Sequence, residues 1–275
     1  MGLQRLAAFA NDGTGGNPAG VLITDTLPDE AEMQRIAAEV GYSETVFAAP
    51  TFDGFRTRYF APEQEVPFCG HATIALGAAL GAARGADNYR LILNDSDISV
   101  RAYREGDVWG AELTSPPSRH APVTAQVREE AIALFGLTES AMSDALPVTR
   151  IHAGADHLAM PLNDRATLAA MQYNQDAGAV FMRREGLITI ALFWEETPQT
   201  LHVRNAFAAG GVYEDPATGA AAAALTAWFR DGLNRSAPLD LRQGDDMGHP
   251  SRILTEALEG EGSPVRVRGM TRPLA

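Results

Sequence analysis

Three side chains of this sequence have the chemistry needed to move a proton. Glu44 precedes the apolar stretch Val46-Phe47-Ala48-Ala49, where partial loss of water would raise the pKa of its carboxyl group toward the range useful for general acid/base work. His71 lies at the start of a predicted helix, and Asp215 precedes a second predicted helix. Each also has an ordinary interpretation, because glutamates cap turns, histidines satisfy backbone groups and aspartates cap helices. Sequence position alone does not distinguish the catalytic from the ordinary interpretation. The secondary-structure elements that hold these residues have to be considered as well.

One arrangement of residues occurs twice along the chain. Phe60-Ala61 is followed after seven residues by Cys69-Gly70-His71-Ala72-Thr73, and Phe207-Ala208 is followed after seven residues by Pro216-Ala217-Thr218-Gly219-Ala220. Each copy predicts a strand, a polar turn and a helix built from small residues. The N–H groups of a helix's first turn have no partner within the helix and attract anions. If the two halves face each other, both helices therefore direct N–H groups into one cleft, which suits an anion, most simply a substrate carboxylate.

The single cysteine, Cys69, could be mistaken for a nucleophile. A thiolate at a helix N-terminus has a lowered pKa, but the next histidine is His71 and no protease-like context surrounds it. Racemases that use two bases without a cofactor employ a pair of cysteines, one in each half. The matching position in the second half is Pro216, so we expect a packed, inert thiol. One cysteine also excludes an intrachain disulfide and fits a cytoplasmic protein.

The rest of the pattern predicts many short strands and a helix or two in each half. The predicted strands are residues 3–9, 20–24, 44–49, 55–60, 90–93, 98–103, 108–113, 239–241, 253–257 and 265–268, and the predicted helices are 29–40, 72–83, 127–135 and 217–230. This order favours an α+β fold with curved sheets wrapping a helix over a doubly wound sheet. Gly77, Gly81 and Gly85 recur every four residues and predict a narrow glycine face that strands approach closely.

The length of 275 residues accommodates two domains. The proline-containing segment 115–122 is the best linker candidate, because consecutive prolines hold the chain extended. We therefore predict an N-terminal domain of residues 1–118, which the C-terminal strand 264–275 can join, and a C-terminal domain of residues 119–263.

Composition excludes several classes of function. A formal charge of −13 with scattered basic residues argues against nucleic-acid binding. All 22 basic residues are arginine, which removes a Schiff-base lysine and ordinary pyridoxal-phosphate chemistry. It also removes the Walker A lysine, so Gly13-Thr14-Gly15-Gly16 is not a phosphate-binding loop. No apolar run is long enough to span a bilayer, and the N-terminus does not resemble a signal peptide. We expect a soluble cytoplasmic protein that does not act at a membrane.

The six histidines form no convincing metal set. His152 and His157 are five residues apart, His202 is isolated, and no HExxH motif or cysteine/histidine cluster occurs. We therefore predict neither a metal nor another cofactor.

Several short motifs follow one another at a familiar spacing along nearly the whole chain. They are Asn17-Pro18-Ala19-Gly20-Val21, Gly41-Tyr42-Ser43-Glu44-Thr45-Val46-Phe47, Arg58-Tyr59-Phe60-Ala61-Pro62, Cys69-Gly70-His71-Ala72-Thr73, Glu214-Asp215-Pro216-Ala217-Thr218-Gly219 and Gln243-Gly244-Asp245-Asp246-Met247-Gly248-His249-Pro250-Ser251. Together they resemble the PhzF family of phenazine-biosynthesis-like proteins. The resemblance implies the diaminopimelate-epimerase-like fold, in which two similar domains each wrap a barrel-like sheet around a central helix and the site lies in the cleft between them. It also implies cofactor-free isomerisation by proton transfer, and a homodimer.

The same resemblance assigns roles to individual positions. Glu44 matches the family's acid/base glutamate, while His71 and Asp215 match its supporting polar residues. Asn17 matches a loop residue near the site. The substrate-lining backbone corresponds to Gly70, Ala72, Thr73, Thr218, Gly219 and Ala220.

Three departures from the family pattern concern the substrate more than the reaction. Ala220 stands where many relatives have serine, His249 replaces a common arginine, and Phe207-Ala208-Ala209-Gly210 replaces the usual Phe-Ala-Pro form. The function predicted is a cofactor-independent isomerase that uses Glu44 to move a proton on a small carboxylate-bearing substrate. The alternatives are a non-catalytic binding or regulatory protein on the same fold, and a cysteine-dependent hydrolase or transferase.

Overall fold

The computed structural model describes residues 2–275, which form two compact units. Unit 1 contains the chain up to Thr114 and the segment Arg268–Ala275, and unit 2 contains Ser115–Val267. Within residues 2–275, no helix combines the length and apolar character of a membrane span.

The elements of unit 1 are the strands β1 (Gln4–Ala10), β2 (Asn17–Ile23), β3 (Thr45–Pro50), β4 (Phe55–Phe60), β5 (Glu65–Val66), β6 (Asn88–Ile92), β7 (Asp97–Glu105) and β8 (Val108–Thr114), with the helices α1 (Glu30–Val40) and α2 (Gly70–Arg84). Those of unit 2 are the strands β9 (Arg119–Pro122), β10 (Thr149–His152), β11 (Asp156–Leu162), β12 (Thr189–Thr197), β13 (Thr200–Ala206), β14 (Glu214–Asp215), β15 (Leu239–Gln243) and β16 (Ser251–Ala257), with the helices α3 (Ala125–Leu134), α4 (Arg165–Ala169), α5 (Gln175–Glu185) and α6 (Gly219–Leu233). The last strand, β17 (Val265–Pro273), begins in unit 2 and ends in unit 1.

The two units repeat one order of strand pairing. In unit 1, β1 pairs antiparallel with β2, β2 parallel with β3, and β3 antiparallel with β4, which pairs antiparallel with β5 and parallel with β6. In unit 2 the same order joins β10, β11, β12, β13, β14 and β15. The 15-residue helices α2 and α6 each follow the two-residue strand of their unit. The duplicated strand-turn-helix and the α+β class are thus confirmed.

Helix α2 is enclosed by the strands of unit 1. Its residues 71–81 are all buried, as expected of a helix that is apolar on every side. A Cβ atom at Gly77 would lie 2.6 Å from Val100 Cγ2, and one at Gly81 would lie 2.6 Å from the Trp109 ring. The predicted glycine face is therefore confirmed at these two positions. It is wrong at Gly85, which lies in open space and ends the helix with φ +105°.

The segment 115–122 is not the linker that its prolines predicted. Ser115 N–H donates to the Val265 carbonyl and Ser118 N–H to the Gly262 carbonyl, both at 2.8 Å. Residues 119–122 form β9, which pairs antiparallel with β10. The extended backbone that proline favours is also compatible with a strand, so the segment belongs to unit 2. The unit boundary falls after Thr114, and the chain returns to unit 1 at Arg268.

Candidate active site

Glu44 lies at the entrance to β3, one residue before the strand that it was predicted to begin. Its backbone carbonyl accepts the Gly20 N–H at 3.2 Å, which ties this junction to β2. The Glu44 side chain is 19% exposed. A carboxylate fixed at this point meets mainly protein rather than water.

His71 is the second residue of α2, because the helix begins at Gly70, two residues earlier than the predicted start at residue 72. The preceding Cys69 is the N-cap in extended conformation, and its side chain makes no capping hydrogen bond. The carbonyl of Cys69 accepts the Thr73 N–H at 3.0 Å and the Thr73 hydroxyl at 2.7 Å. The first turn of α2 therefore fixes the backbone that carries the imidazole.

Tyr59 stabilises this turn from β4. Its hydroxyl lies 2.7 Å from Thr73 Oγ1, and because Thr73 donates to the Cys69 carbonyl, Tyr59 must donate to Thr73. Burial is the main cause that raises the pKa of Tyr59, so the phenol keeps its proton. Sequence analysis did not single out Tyr59. The only available signal was its place beside Phe60 in a quoted motif.

The imidazole of His71 lies between a carboxylate and a thiol. Its Nε2 atom is 3.5 Å from Glu44 Oε2 and 3.5 Å from the Ser43 hydroxyl, and its Nδ1 atom is 3.3 Å from Cys69 Sγ. The 3.5 Å separation is longer than an ordinary hydrogen bond, as is common in active sites without substrate. A small rotation of Glu44 would bring the carboxylate and the imidazole into direct contact. The thiol is packed, as expected, and only 8% exposed, but it also contacts the His71 imidazole.

Asp215 belongs to a separate polar cluster in unit 2. Its Oδ2 atom accepts the Thr218 hydroxyl at 2.6 Å. The Gln243 side chain donates to the Asp215 carbonyl at 2.7 Å and accepts the Thr218 N–H at 3.1 Å. The N-cap of α6 is Thr218, so the ordinary interpretation of Asp215 as this cap is wrong. Gln243 lies in a motif that sequence analysis quoted, but nothing in that motif indicated that it holds Asp215.

An ion pair holds β14 from its other face. Asp215 and Glu214 are adjacent in β14 and point to opposite faces. Arg204 donates to both Glu214 oxygens, at 2.9 and 2.5 Å, and also to the Ala169 carbonyl at 2.8 Å. Burial lowers the pKa of the Arg204 guanidinium, but its bonds to Glu214 outweigh burial and the net pKa is raised. The buried Arg204 thus fixes the strand that presents Asp215.

The remaining predicted site residues fall into the same two groups. Gly70, Ala72 and Thr73 form the first turn of α2, and Asn17 begins β2, where it is buried. Thr218, Gly219 and Ala220 form the start of α6. In neither helix does the side chain of the N-cap residue accept an N–H of the first turn. Both helix starts thus have the features expected of an anion site.

Similarity to a solved structure identifies the fold. The chain resembles the crystal structure of a phenazine biosynthesis protein of the PhzF family from Bacillus anthracis, with a TM-score of 0.88 and 22% sequence identity over 99% of this chain and 96% of that chain. This similarity establishes the diaminopimelate-epimerase-like fold.

Sequence comparison identifies the family. The family model PhzC-PhzF, described as phenazine biosynthesis-like protein, matches residues 6–273. An isomerase of Deinococcus radiodurans described as uncharacterized is 30% identical over 91% of this chain and 85% of its own length. The trans-2,3-dihydro-3-hydroxyanthranilate isomerase of Pseudomonas fluorescens is 30% identical over 91% of this chain and 88% of its own length. The chain belongs to the PhzC-PhzF family, and it is an isomerase.

Proposed function

We propose that this isomerase moves a proton on a small carboxylate-bearing substrate, with Glu44 as the general acid/base. The observation that carries the proposal is the position of the Glu44 carboxylate 3.5 Å from His71 Nε2, beside the first turn of α2. The carboxylate is mostly shielded from water, yet part of it is exposed to a ligand. A proton carrier needs both properties.

The reaction follows from the chemistry of one carboxylate. Glu44 removes a proton from an activated carbon, and the electron pair of that C–H bond shifts into the adjacent unsaturated system of the substrate. The Glu44 carboxylic acid then returns a proton to a different carbon. The net change is a 1,3-proton shift, which needs no oxidant, reductant or cofactor. Inversion at one carbon usually needs an acid and a base on opposite faces, so one carboxylate fits the shift better.

The other polar residues have supporting roles in this proposal. His71 holds the Glu44 carboxylate through Nε2 and orients it toward the substrate. Asp215 assists substrate positioning or proton transfer, an assignment that rests on the family resemblance. Arg204 and Gln243 support it by holding the backbone of β14.

The substrate class is supported by the start of α2, the helix that carries His71. The N–H groups of a helix's first turn and the helix dipole both favour a carboxylate. The Pseudomonas fluorescens relative acts on trans-2,3-dihydro-3-hydroxyanthranilate, which carries such a group. Ala220 and His249 depart from the family pattern, so we propose the class of small unsaturated carboxylates for this chain and use that compound as the first probe.

The test is proton exchange in D₂O. Wild type is incubated with trans-2,3-dihydro-3-hydroxyanthranilate and with a panel of small unsaturated carboxylates, and deuterium in substrate and product is followed by NMR. On a probe that wild type converts, Glu44→Gln keeps the side-chain shape but removes the base, so turnover should fall by about 10²–10⁴-fold. Glu39→Gln is the matched control, because Glu39 is an exposed residue of α1 that pairs with Arg35. Near-normal turnover by Glu44→Gln would refute the assignment.

The distance of 3.3 Å between Cys69 Sγ and His71 Nδ1 supports a second candidate, a thiol-dependent reaction. The two mechanisms predict different variants to be inactive. A loss in Cys69→Ala as large as that in Glu44→Gln would support the thiol. Absence of exchange or conversion with every probe would count against small unsaturated carboxylates as the substrate class.

A further inference from the structure

Three different metal-ligating side chains meet beside the first turn of α2. Glu44, Cys69 and His71 each offer one ligand atom, and these atoms all lie within 4.8 Å of one another. Cys69 and His71 are 8% exposed and Glu44 is 19% exposed. Sequence analysis could not find this set, because Glu44 is 25 residues from Cys69 and contributes to no metal-binding motif.

The donor types are those that zinc prefers. A thiolate, an imidazole nitrogen and a carboxylate oxygen together suit Zn²⁺, whereas Mg²⁺ and Ca²⁺ prefer oxygen alone. Tetrahedral zinc with ordinary bond lengths places its ligand atoms roughly 3.4–3.6 Å apart. A spread of up to 4.8 Å therefore has to close by about 1 Å when the ion binds.

We propose that Glu44, Cys69 and His71 bind one zinc ion, and that the bound ion inhibits the isomerase. One imidazole nitrogen binds the metal, and the other keeps a hydrogen-bonding role. Three protein ligands leave the fourth position of the ion open to water or to an anion. Binding releases the thiol proton of Cys69 to the solvent as the S–Zn bond forms, and no electron is transferred.

Two of the three ligand residues, Cys69 and His71, lie on a backbone that is already fixed. Cys69 and His71 are held at fixed spacing by the first turn of α2, and the Tyr59–Thr73 hydrogen bonds hold that turn. Glu44 is anchored through its backbone to β2 and needs only a side-chain rotation. Little conformational freedom is lost on binding, which favours affinity.

The inhibition rests on the proposed function, whereas the binding does not. A Glu44 oxygen that is bonded to zinc cannot accept a proton from a substrate carbon. Zinc at the cluster should therefore reduce turnover in proportion to its occupancy. Mg²⁺ at the same concentration should leave turnover unchanged, because it does not bind a thiolate and imidazole set.

Binding is measured by titrating the untagged full chain with Zn²⁺ in a calorimeter. One equivalent should bind, and Cys69→Ser should weaken that binding at least tenfold. His152→Asn is the control and should bind zinc like wild type. His152 lies in unit 2, where it pairs with Asp156, whereas the cluster lies in unit 1. Co²⁺ gives a direct signature, since a cysteine ligand produces a thiolate-to-metal charge-transfer absorption that Cys69→Ser would lack. Circular dichroism checks that each variant is folded, and Cys69→Ala replaces Cys69→Ser if that variant is not.

Each outcome has one meaning. Absence of the charge-transfer absorption in wild type, or equal zinc affinity in wild type and a folded Cys69 variant, overturns the metal site. Binding that leaves turnover unchanged overturns the inhibition. If Glu44→Gln instead retains full turnover while wild type binds zinc through Cys69, the proposed function fails and the metal site stands.

Discussion

A buried histidine in unit 2 should make folding sensitive to acid. His157 in β11 has no exposed surface, and its Nδ1 atom lies 2.8 Å from Thr189 Oγ1, which in turn donates to Asn205 Oδ1 at 3.0 Å. The Nδ1 atom of His157 must therefore carry the proton. Burial is the main cause that lowers the pKa of His157 to about 4, with a smaller opposing effect of Asp156 and a smaller reinforcing effect of His152.

The sign and size of the effect follow from the two pKa values. An unfolded histidine has a pKa near 6.5, so as the pH falls below this value the unfolded state takes up a proton that folded His157 refuses. Stability is therefore full above pH 6.5 and is lost as the pH falls toward 4. With a folded pKa of about 4, the loss is about 1.4 kcal/mol at pH 5.5 and about 2.6 kcal/mol at pH 4.5.

The perturbation that isolates this effect is His157→Asn. The asparagine amide can still donate to Thr189 Oγ1 but does not titrate. Urea unfolding is followed by circular dichroism at pH 7.5, 5.5 and 4.5, and the free energy of unfolding is compared between the two proteins. Carboxyl groups titrate equally in both, so wild type should lose about 2.5 kcal/mol more than the variant between pH 7.5 and 4.5.

The control for this measurement is His152→Asn, which changes a histidine that is partly exposed and pairs with Asp156. It should retain most of the wild-type acid sensitivity. If wild type and His157→Asn lose the same free energy on acidification, the folded state accepts a proton on His157 and the reasoning from burial is refuted.

Two further changes test the packing and the ion pair that support the candidate site. Gly77→Ala would place a Cβ atom 2.6 Å from Val100 Cγ2 and 2.7 Å from Ala111 Cβ, so it should destabilise the protein by about 1–3 kcal/mol, and an unchanged urea midpoint would contradict this packing. Glu214→Gln leaves the buried Arg204 without its counter-charge and should cost about 3 kcal/mol. Glu39→Gln in an exposed pair should have little effect on the same urea curve, and an equally small effect of Glu214→Gln would show that the buried pair does not hold β14.

Sequence patterns predicted the repeat because both of its copies combine strong local signals. Small residues in the helices α2 and α6, and the glycines at 77 and 81, are compatible with enclosure by a sheet and with few other environments. Other elements were missed although local signals existed. Helix α5 is capped by Asn174 and ends at Gly186 with φ +65°, yet its mixed polarity gave no clear apolar face. The strand β9 was missed because its prolines favour an extended chain whether or not it pairs.

The candidate site was predictable only in part. The resemblance assigned roles to Glu44 and His71, and the structure brings these two together. Tyr59 stabilises the site through a hydrogen bond to Thr73, and Gln243 through hydrogen bonds to Asp215 and Thr218. The periodicity of the sequence does not predict such contacts between distant residues. The approach of Cys69 Sγ to His71 Nδ1 was also missed, because side-chain rotamers at a helix start cannot be read from the order of residue types.

The repeat also explains why one carboxylate should carry the proton. Thr45 and Thr189 occupy equivalent places, since they are the first residues of β3 and β12 and each pairs with the parallel strand before it. The residue before Thr189 is Ile188, where unit 1 has Glu44. The start of α6 likewise has Pro216 and Thr218 where α2 has Cys69 and His71. A symmetric two-base arrangement would need titratable groups at equivalent positions of both units, and unit 2 has none at these three positions. This asymmetry favours Glu44 as the proton carrier of the proposed reaction, and hence a proton shift over inversion.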